Sequence, residues 1–245
     1  MKKNYFVFAM KRSGHHVLVN WIARNDGNCR HENNVSGRSG MQSFKGSSTT
    51  LYGNSPDKNL IANFEDFRFH LFDQIKWPNK GDSFHILFMR DFPNWLASSY
   101  KRKDAKRGRH LYDDLEKPRG KDYPSRIEIY RRHSQIFSAQ DPRLILVSYN
   151  RFLTSPEYRN QLAERLGLKN IQGEKKLSQV TNFGQGSSFT GTDQTEIKTK
   201  DVFSRFVKYV DDERFQKLLQ KNQDLIDFSE KFLTKGIEKG PSISA

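Results

Sequence analysis

Short apolar runs alternate along the chain with segments whose apolar residues recur at helical spacing. Four runs have the length of buried strands, and three of them lead into a predicted helix. These runs are residues 4–10, 60–64, 85–90 and 143–149. Short apolar strands that alternate with helices are typical of parallel sheets covered by helices. The pattern therefore predicts an α/β fold, a three-layer sandwich with a central, mostly parallel sheet.

Polar residues and glycines mark the ends of the predicted helices. The helix after the first strand ends near Gly27, whereas Asp91 and Ser155 are expected to cap the helices after the third and fourth strands. A further helical stripe covers 202–220, and residues 235–245 are expected to form a frayed tail. We expect the whole chain to form a single domain.

The chain is strongly basic, because its 245 residues contain 42 Lys and Arg against 28 Asp and Glu, a formal charge of +14. This balance indicates an anionic partner, such as nucleic acid, a phosphorylated cofactor, an acidic glycan or a lipid headgroup. The single cysteine, Cys29, excludes an intramolecular disulfide. No apolar stretch reaches the roughly 20 residues of a membrane span. The run at 5–10 is too short for a signal peptide, so we expect a cytoplasmic protein.

A polar loop joins the first predicted strand to the first helix, and backbone amides at a helix start can bind an anion. Gly14 lets the backbone approach a phosphate closely, and Arg12 can donate two hydrogen bonds to one. The loop lacks the Walker A pattern GxxxxGK[ST]. The alternative is a basic turn that merely caps the helix. The six predicted phosphate-binding residues are Lys11, Arg12, Ser13, Gly14, His15 and His16.

Two adjacent histidines in this loop raise the question of a metal site. His15 and His16 stand at successive helical positions, so their side chains are expected to point about 100° apart. No acidic or cysteine partner is evident nearby in the sequence. We therefore expect no metal site here.

A second anion site is predicted where the third strand meets its helix. Arg90 ends the strand, and Ser98 follows eight residues later, about two helical turns on. A guanidinium and a hydroxyl can share one phosphate. In the alternative interpretation, Arg90 pairs with Asp91 or another carboxylate, and Ser98 is a small residue packed against the sheet. Two phosphate pockets at neighbouring strand ends would suit a nucleotide phosphorylated at two places.

The two motifs together resemble those of the sulfotransferases that use 3′-phosphoadenosine 5′-phosphosulfate (PAPS). In that family a loop of the type Lys/Arg-Ser-Gly-Thr-Thr holds the 5′-phosphosulfate, and an Arg followed eight residues later by a Ser holds the 3′-phosphate. Here the loop is residues 12–16, RSGHH, and the pair is Arg90 and Ser98. The two histidines stand where hydroxyl residues are usual. Residues 143–168 also resemble the family's later strand and helix, and the likeness implies a P-loop-like nucleotide-binding architecture.

The resemblance implies transfer of a sulfuryl group from PAPS to an acceptor hydroxyl by in-line displacement, with no metal required. Arg12 would neutralise the leaving phosphate. Glu65, after the second strand, is the positional match for the family's catalytic base, and Asn63 projects to the same side, where it can touch the sulfate. His16 is the alternative base. In a purely structural alternative, Glu65 or Asp66 caps the next short helix.

Several segments stay open between two interpretations. The loop 183–191 is similar to the family's nucleotide-closing loop, and a flexible linker is the alternative. Its predicted nucleotide contacts are Gly186, Ser187 and Ser188. The loop 26–57 and the basic segment 101–120 are expected to frame the acceptor pocket. Three aromatic residues either line this pocket or belong to the core: Phe67, Phe69 and Trp95.

Two other functions remain as alternatives. A P-loop-type small-molecule kinase would use the same loop, but the missing Walker lysine and hydroxyl count against it. A non-enzymatic protein would use the +14 charge to bind nucleic acid or another polyanion. Against this, no helix-turn-helix, zinc-finger or RNA-binding signature is present, so no nucleic-acid partner is expected. The acceptor (a glycan, a glycolipid or a small molecule) and the oligomeric state are left open.

Overall fold

A computed structural model of the chain describes residues 2–33, 35, 57–75, 77, 81–100, 113–118, 123–168 and 202–235. Within these residues there are five strands: β1 (Lys3–Ala9), β2 (Cys29–Glu32), β3 (Asn59–Glu65), β4 (Asp82–Met89) and β5 (Ile145–Ser148). They form one sheet in the order β2-β3-β1-β4-β5, and every neighbouring pair is parallel. The predicted α/β fold with a parallel central sheet is confirmed.

The described residues also form eight α-helices. They are α1 (His16–Asp26), α2 (Phe92–Tyr100), α3 (Asp113–Glu116), α4 (Arg126–Ala139), α5 (Tyr149–Thr154), α6 (Pro156–Arg165), α7 (Glu213–Lys221) and α8 (Gln223–Phe228). Two 3₁₀ helices cover Phe69–Gln74 and Arg205–Tyr209, and a π-helical turn covers Ser229–Thr234. Within this part of the chain, no helix is both long enough and apolar enough to cross a bilayer.

Side chains of each strand alternate between two hydrophobic cores, one on each face of the sheet. In β1, Phe6 and Phe8 lie in one core, whereas Tyr5 and Val7 lie in the other. Helices α2, α4, α7 and α8 contribute to the first core, and α1, α5 and α6 to the second. The sheet is thus covered by helices on both faces, as the three-layer prediction requires.

Both predicted helix caps are present. The Asp91 carboxylate accepts from the Asn94 amide at 3.0 Å, and the Ser155 hydroxyl accepts from the Tyr158 amide at 3.1 Å. The prediction of one continuous helical stripe over 202–220 is wrong. The stripe is divided between a 3₁₀ helix and α7, because the Asp212 side chain accepts from the Phe215 amide and caps a new helix there.

Two elements were absent from the sequence prediction. Strand β2 lies at the edge of the sheet and consists of four half-buried residues, so it has no apolar run. Helix α4 begins after Ser125, whose hydroxyl accepts from the Glu128 amide at 3.2 Å. A serine followed three residues later by a glutamate is a helix-start signature, and it was available in the sequence.

The predicted site residues follow the carboxyl ends of three neighbouring strands, so they lie together at one end of the sheet. Strand β1 lies between β3 and β4, with Ala9 opposite both Glu65 and Phe88. The Asp66 amide donates to the Ala9 carbonyl at 2.9 Å, which holds the chain after β3 against the chain after β1. In parallel sheets ligands bind at the carboxyl ends of the strands.

Several predicted segments lie wholly outside the described residues. They are the loop 36–55, the basic run 101–109 and the loop 183–191 with Gly186, Ser187 and Ser188. The predicted tail after residue 235 lies outside them as well.

Candidate functional site

The loop after β1 turns sharply before α1 begins. The Ser13 amide donates to the Met10 carbonyl at 3.1 Å, and Arg12 and Gly14 both have positive φ angles, 68° and 83°. The side chain of His15, the cap residue of α1, makes no capping hydrogen bond, and no acidic residue stands in the first turn. The Val17 and Leu18 amides donate to the Gly14 and His15 carbonyls, so an anion at the start of α1 would bind the amides of residues 14–16.

The backbone of Lys11 is held in place from two sides. Its amide donates to the Asp66 carboxylate at 2.9 Å, and its carbonyl accepts from the Trp95 indole at 2.9 Å. The loop is thus attached to the chain after β3 and to α2. Trp95 is fully buried, so this predicted pocket aromatic belongs to the core.

The other two aromatics of the predicted acceptor pocket also pack in the core. Phe67 is buried, and the half-buried Phe69 packs against the same cluster. The predicted alternative in which Glu65 or Asp66 caps the next short helix is wrong. The 3₁₀ helix after β3 has Arg68 at its cap position and no side-chain cap, because the two carboxylates turn back toward the loop after β1.

Gly14 packs against an aromatic ring that also contacts the second predicted site. A Cβ at Gly14 would lie 2.8 Å from Cε2 of Tyr149. The Arg90 guanidinium carbon lies 5.0 Å from the centroid of the same ring, within cation–π range. Gly14 therefore has a packing role in addition to the phosphate approach that the sequence suggested.

Arg90 is a buried cation held by neutral oxygens. It is 1% exposed. Its guanidinium donates to the Ser98 hydroxyl at 3.1 Å and to the Val202 carbonyl. Among the described residues it forms no ion pair with a carboxylate, and Asp91 instead bonds Asn94 and Asn150. The alternative in which Arg90 pairs with Asp91 does not hold in the structure.

A second arginine, absent from the sequence prediction, reaches the same serine. Arg205 donates from Nη1 to the Ser98 hydroxyl at 3.0 Å, and its amide donates to the Asn94 side chain at 2.8 Å. Burial, and next the charge of Arg90, lower the pKa of Arg205 to about 10. This residue stands within 202–220, which the sequence predicted only as a helical stripe, and no local spacing relates it to Ser98.

The histidine pair lies beside the end of β3. His15 is buried, with Nε2 3.1 Å from the Asn63 amide nitrogen, and the Asn63 amide oxygen lies 2.7 Å from Nε2 of His31 on β2. The predicted common side of Asn63 and Glu65 is observed, since the Glu65 carboxylate also lies 3.7 Å from His15 Nε2. His31 was not singled out because β2 itself was missed.

The expectation that the two histidine rings diverge is wrong. The ring centroids of His15 and His16 lie only 4.3 Å apart. The helical angle of about 100° separates the Cα–Cβ bonds, but two further torsions let the rings converge. Glu65 supplies the acidic partner that was not evident in the sequence. One ligand atom from each of the three side chains lies within 4.8 Å of the other two.

Burial dominates the protonation of this cluster. It lowers the pKa of His15 well below the usual value and that of His16 to about 4. It raises the pKa of Glu65, while the neighbouring Lys11 ammonium, 3.7 Å from the carboxylate, opposes this rise. Both imidazoles are therefore neutral near pH 7, and each retains a lone pair that can accept a proton.

Comparison with known proteins adds a likeness in fold. No protein-family model matches the chain, and no curated protein matches its sequence. Among solved structures, the mouse sulfotransferase SULT7A1 complexed with PAP is similar, at 12% sequence identity and a TM-score of 0.45. The matched region covers 97% of this chain and 86% of the mouse chain. At 12% identity this likeness carries no information about the chemistry of the present chain.

Proposed function

We propose that the protein is a sulfotransferase that takes PAPS as its donor and moves the sulfuryl group to an acceptor hydroxyl. The observation that supports this proposal most strongly is that two guanidinium groups, the buried Arg90 and the half-buried Arg205, both donate to the Ser98 hydroxyl. This cluster follows β4, directly beside the anion-binding loop that follows β1.

The 3′-phosphate is assigned to the pair of arginines and Ser98. Two guanidinium groups next to each other repel, and burial makes that repulsion stronger. A phosphate dianion between them would offset both charges and accept charge-assisted hydrogen bonds from each. Burial, and next the Arg90 charge, lower the pKa of Arg205, and a phosphate bound here would favour its charged form.

The 5′-phosphosulfate is assigned to the loop of residues 11–16. The backbone amides of residues 14–16, the Lys11 ammonium and the Arg12 guanidinium are the proposed donors. Strands β1 and β4 are hydrogen-bonded neighbours, so their end loops are separated by roughly one strand spacing of about 5 Å. One nucleotide phosphorylated at two positions can therefore contact both loops.

The transfer step needs a base and a charge acceptor. The acceptor oxygen forms a bond to sulfur as the bond between sulfur and the bridging phosphate oxygen breaks, and the phosphate leaves with that electron pair. Arg12, with Lys11, neutralises the charge that develops on the phosphate. The proton of the acceptor hydroxyl goes to Glu65 or to the neutral imidazole of His16. Burial raises the pKa of Glu65 and lowers that of His16. Asn63 contacts His15, whose Nε2 lies 3.7 Å from the Glu65 carboxylate.

Radiolabelled PAPS tests the reaction directly. The protein is incubated with [³⁵S]PAPS and a panel of hydroxyl acceptors (glycans, glycolipid headgroups and phenols), and both labelled product and free sulfate are measured. We expect release of PAP with transfer or slow hydrolysis. Loss of the base in Glu65→Gln or His16→Asn should lower turnover by about 10²- to 10⁴-fold.

A matched variant separates the base from general charge effects. Glu164 lies exposed on α6, and the residues that follow it contact Lys3 at the amino end of β1, so Glu164→Gln removes the same charge away from the carboxyl ends and should leave turnover unchanged. Absence of both transfer and PAPS hydrolysis in the wild type would contradict the proposed reaction. A full rate in both Glu65→Gln and His16→Asn would contradict the assignment of the base.

A further inference from the structure

A three-residue cluster at the carboxyl ends of β1 and β3 has the composition of a metal-binding site. It consists of His15, His16 and Glu65, whose ligand atoms lie within 4.8 Å of one another. Two imidazoles and a carboxylate are a common donor set for Zn²⁺ and related divalent ions, and a three-ligand site keeps one position open.

We propose that His15, His16 and Glu65 together bind one divalent transition-metal ion of the Zn²⁺ type. This goes beyond the proposed reaction, because the chain's own side chains supply the ligands without a nucleotide. An ion bound here would occupy the two groups proposed as the base, so metal binding would block proton transfer rather than assist it. Both grounds for expecting no metal, diverging rings and a missing acidic partner, are removed by the geometry.

One nitrogen of the cluster is available to a ligand. His16 Nδ1 is buried and has no hydrogen-bond partner among the described residues. A buried polar atom left unpaired costs about 1–3 kcal/mol, so such atoms are normally satisfied by protein, water or an ion.

Glu65 presents its two oxygens to different neighbours. Oε1 lies 3.7 Å from His15 Nε2, and Oε2 lies 3.7 Å from the Lys11 ammonium. The oxygen on the histidine side can therefore bind a cation while the other keeps its ion pair. The Lys11 charge nevertheless repels a cation, and Asn63 competes for His15 Nε2 at 3.1 Å. Removing the lysine charge should tighten metal binding.

Metal titration of the untagged, chelator-treated protein tests the site without any nucleotide. Zn²⁺ binding is followed by calorimetry, and Co²⁺ binding by the visible absorption that a low-symmetry site with imidazole ligands produces. We expect one ion per chain. Glu65→Gln and His16→Ala should each weaken binding at least about tenfold, whereas Lys11→Met should strengthen it.

His70 provides the matched control, because it is an exposed histidine away from the cluster. His70→Ala should leave the stoichiometry and affinity unchanged. Thermal melting of each variant establishes that it is folded, and Glu65→Gln keeps the size of the side chain should His16→Ala fail to fold. Absence of saturable binding in the wild type, or equal affinity in Glu65→Gln and wild type, would overturn the site. Nucleotide binding is measured separately, so failure of either proposal is distinguishable.

Discussion

Arg90 and Arg205 donate to the same atom, the hydroxyl oxygen of Ser98, at 3.1 and 3.0 Å. Both guanidinium groups are largely withdrawn from solvent, and the Arg90 charge contributes to the lowered pKa of Arg205. Such an arrangement is stabilised when an anion enters and strained when none is present. The ligand-free protein therefore stores electrostatic repulsion in the pocket after β4.

Replacing one of these charges should have opposite effects on stability and binding. In Arg205→Met, the ligand-free protein at low salt should lose the repulsion and melt at the same or a higher temperature. Affinity for 3′-phosphoadenosine 5′-phosphate (PAP) should fall at least about tenfold, because a charge-assisted hydrogen bond is lost. Melting curves at low and high salt and a PAP titration measure the two effects.

The control for this variant is Arg214→Met, which removes an exposed arginine near the start of α7. It changes the net charge equally, so it should leave PAP affinity nearly unchanged. Equal losses of affinity in Arg205→Met and Arg214→Met would show that only overall charge matters, against the assigned pocket.

Replacement of Gly14 by alanine should destabilise the protein much more than replacement of Gly27, a glycine of similar backbone conformation. Gly14→Ala combines a positive φ of 83° with a contact of 2.8 Å to the Tyr149 ring. We expect a loss of about 2–4 kcal/mol in unfolding free energy. Gly27 has a φ of 75° and nothing within 4 Å of an added Cβ, so Gly27→Ala isolates the backbone term. Urea unfolding of both variants measures the difference.

A smaller side chain at position 149 should make Gly14→Ala less destabilising. In a Tyr149→Val background, the added Cβ meets less obstruction, so the extra cost of Gly14→Ala over Gly27→Ala should shrink. An unchanged difference would mean that the Tyr149 contact is not its source.

Two substitutions of Arg12 separate the cost of its backbone conformation from the effect of its charge. Its φ of 68° is uncommon for a residue with a side chain. Arg12→Gly and Arg12→Ala both remove the guanidinium, but only glycine adopts this conformation freely. Arg12→Gly should therefore be more stable than Arg12→Ala by about 1 kcal/mol, and both should bind PAP more weakly than wild type. Equal stability of the two variants would indicate that the loop relaxes.

Much of the fold could be predicted because the sequences of strands β1, β3, β4 and β5 are apolar runs. Strand β2 was missed, since a short edge strand with polar residues has no such run. The pair Arg90 and Ser98 could be found because both residues belong to one strand–helix unit. Arg205 and His31 could not, because long-range packing rather than local spacing brings them to the site.

The protein should lose unfolding free energy in acid because of His133. It is fully buried, its Nε2 donates to the Phe67 carbonyl at 2.7 Å, and burial lowers its pKa to about 4. In the unfolded chain this histidine is protonated below about pH 6.5, whereas in the folded chain it stays neutral until about pH 4. Its contribution to the free energy of unfolding is therefore fully present above pH 6.5 and is lost as the pH falls toward 4. The expected loss is about 3 kcal/mol.

A glutamine at this position should flatten the pH profile. His133→Gln does not titrate and retains an N–H for the Phe67 carbonyl, so the difference in unfolding free energy between pH 7 and pH 4 should be smaller than in wild type. His70→Gln, at an exposed position, should keep most of the wild-type slope. An unaltered slope in His133→Gln would contradict the assignment.

The most direct test of the donor site is a calorimetric titration with PAP, with AMP and ATP as controls, repeated on Arg90→Gln. Arg165→Gln, an exposed arginine on α6, is the matched variant, and melting curves establish folding. Two charge-assisted hydrogen bonds to the 3′-phosphate should favour PAP over AMP by about 100-fold or more. This preference should vanish in Arg90→Gln and persist in Arg165→Gln. Equal affinities of the wild type for PAP, AMP and ATP would contradict the PAPS site and with it the proposed sulfotransferase.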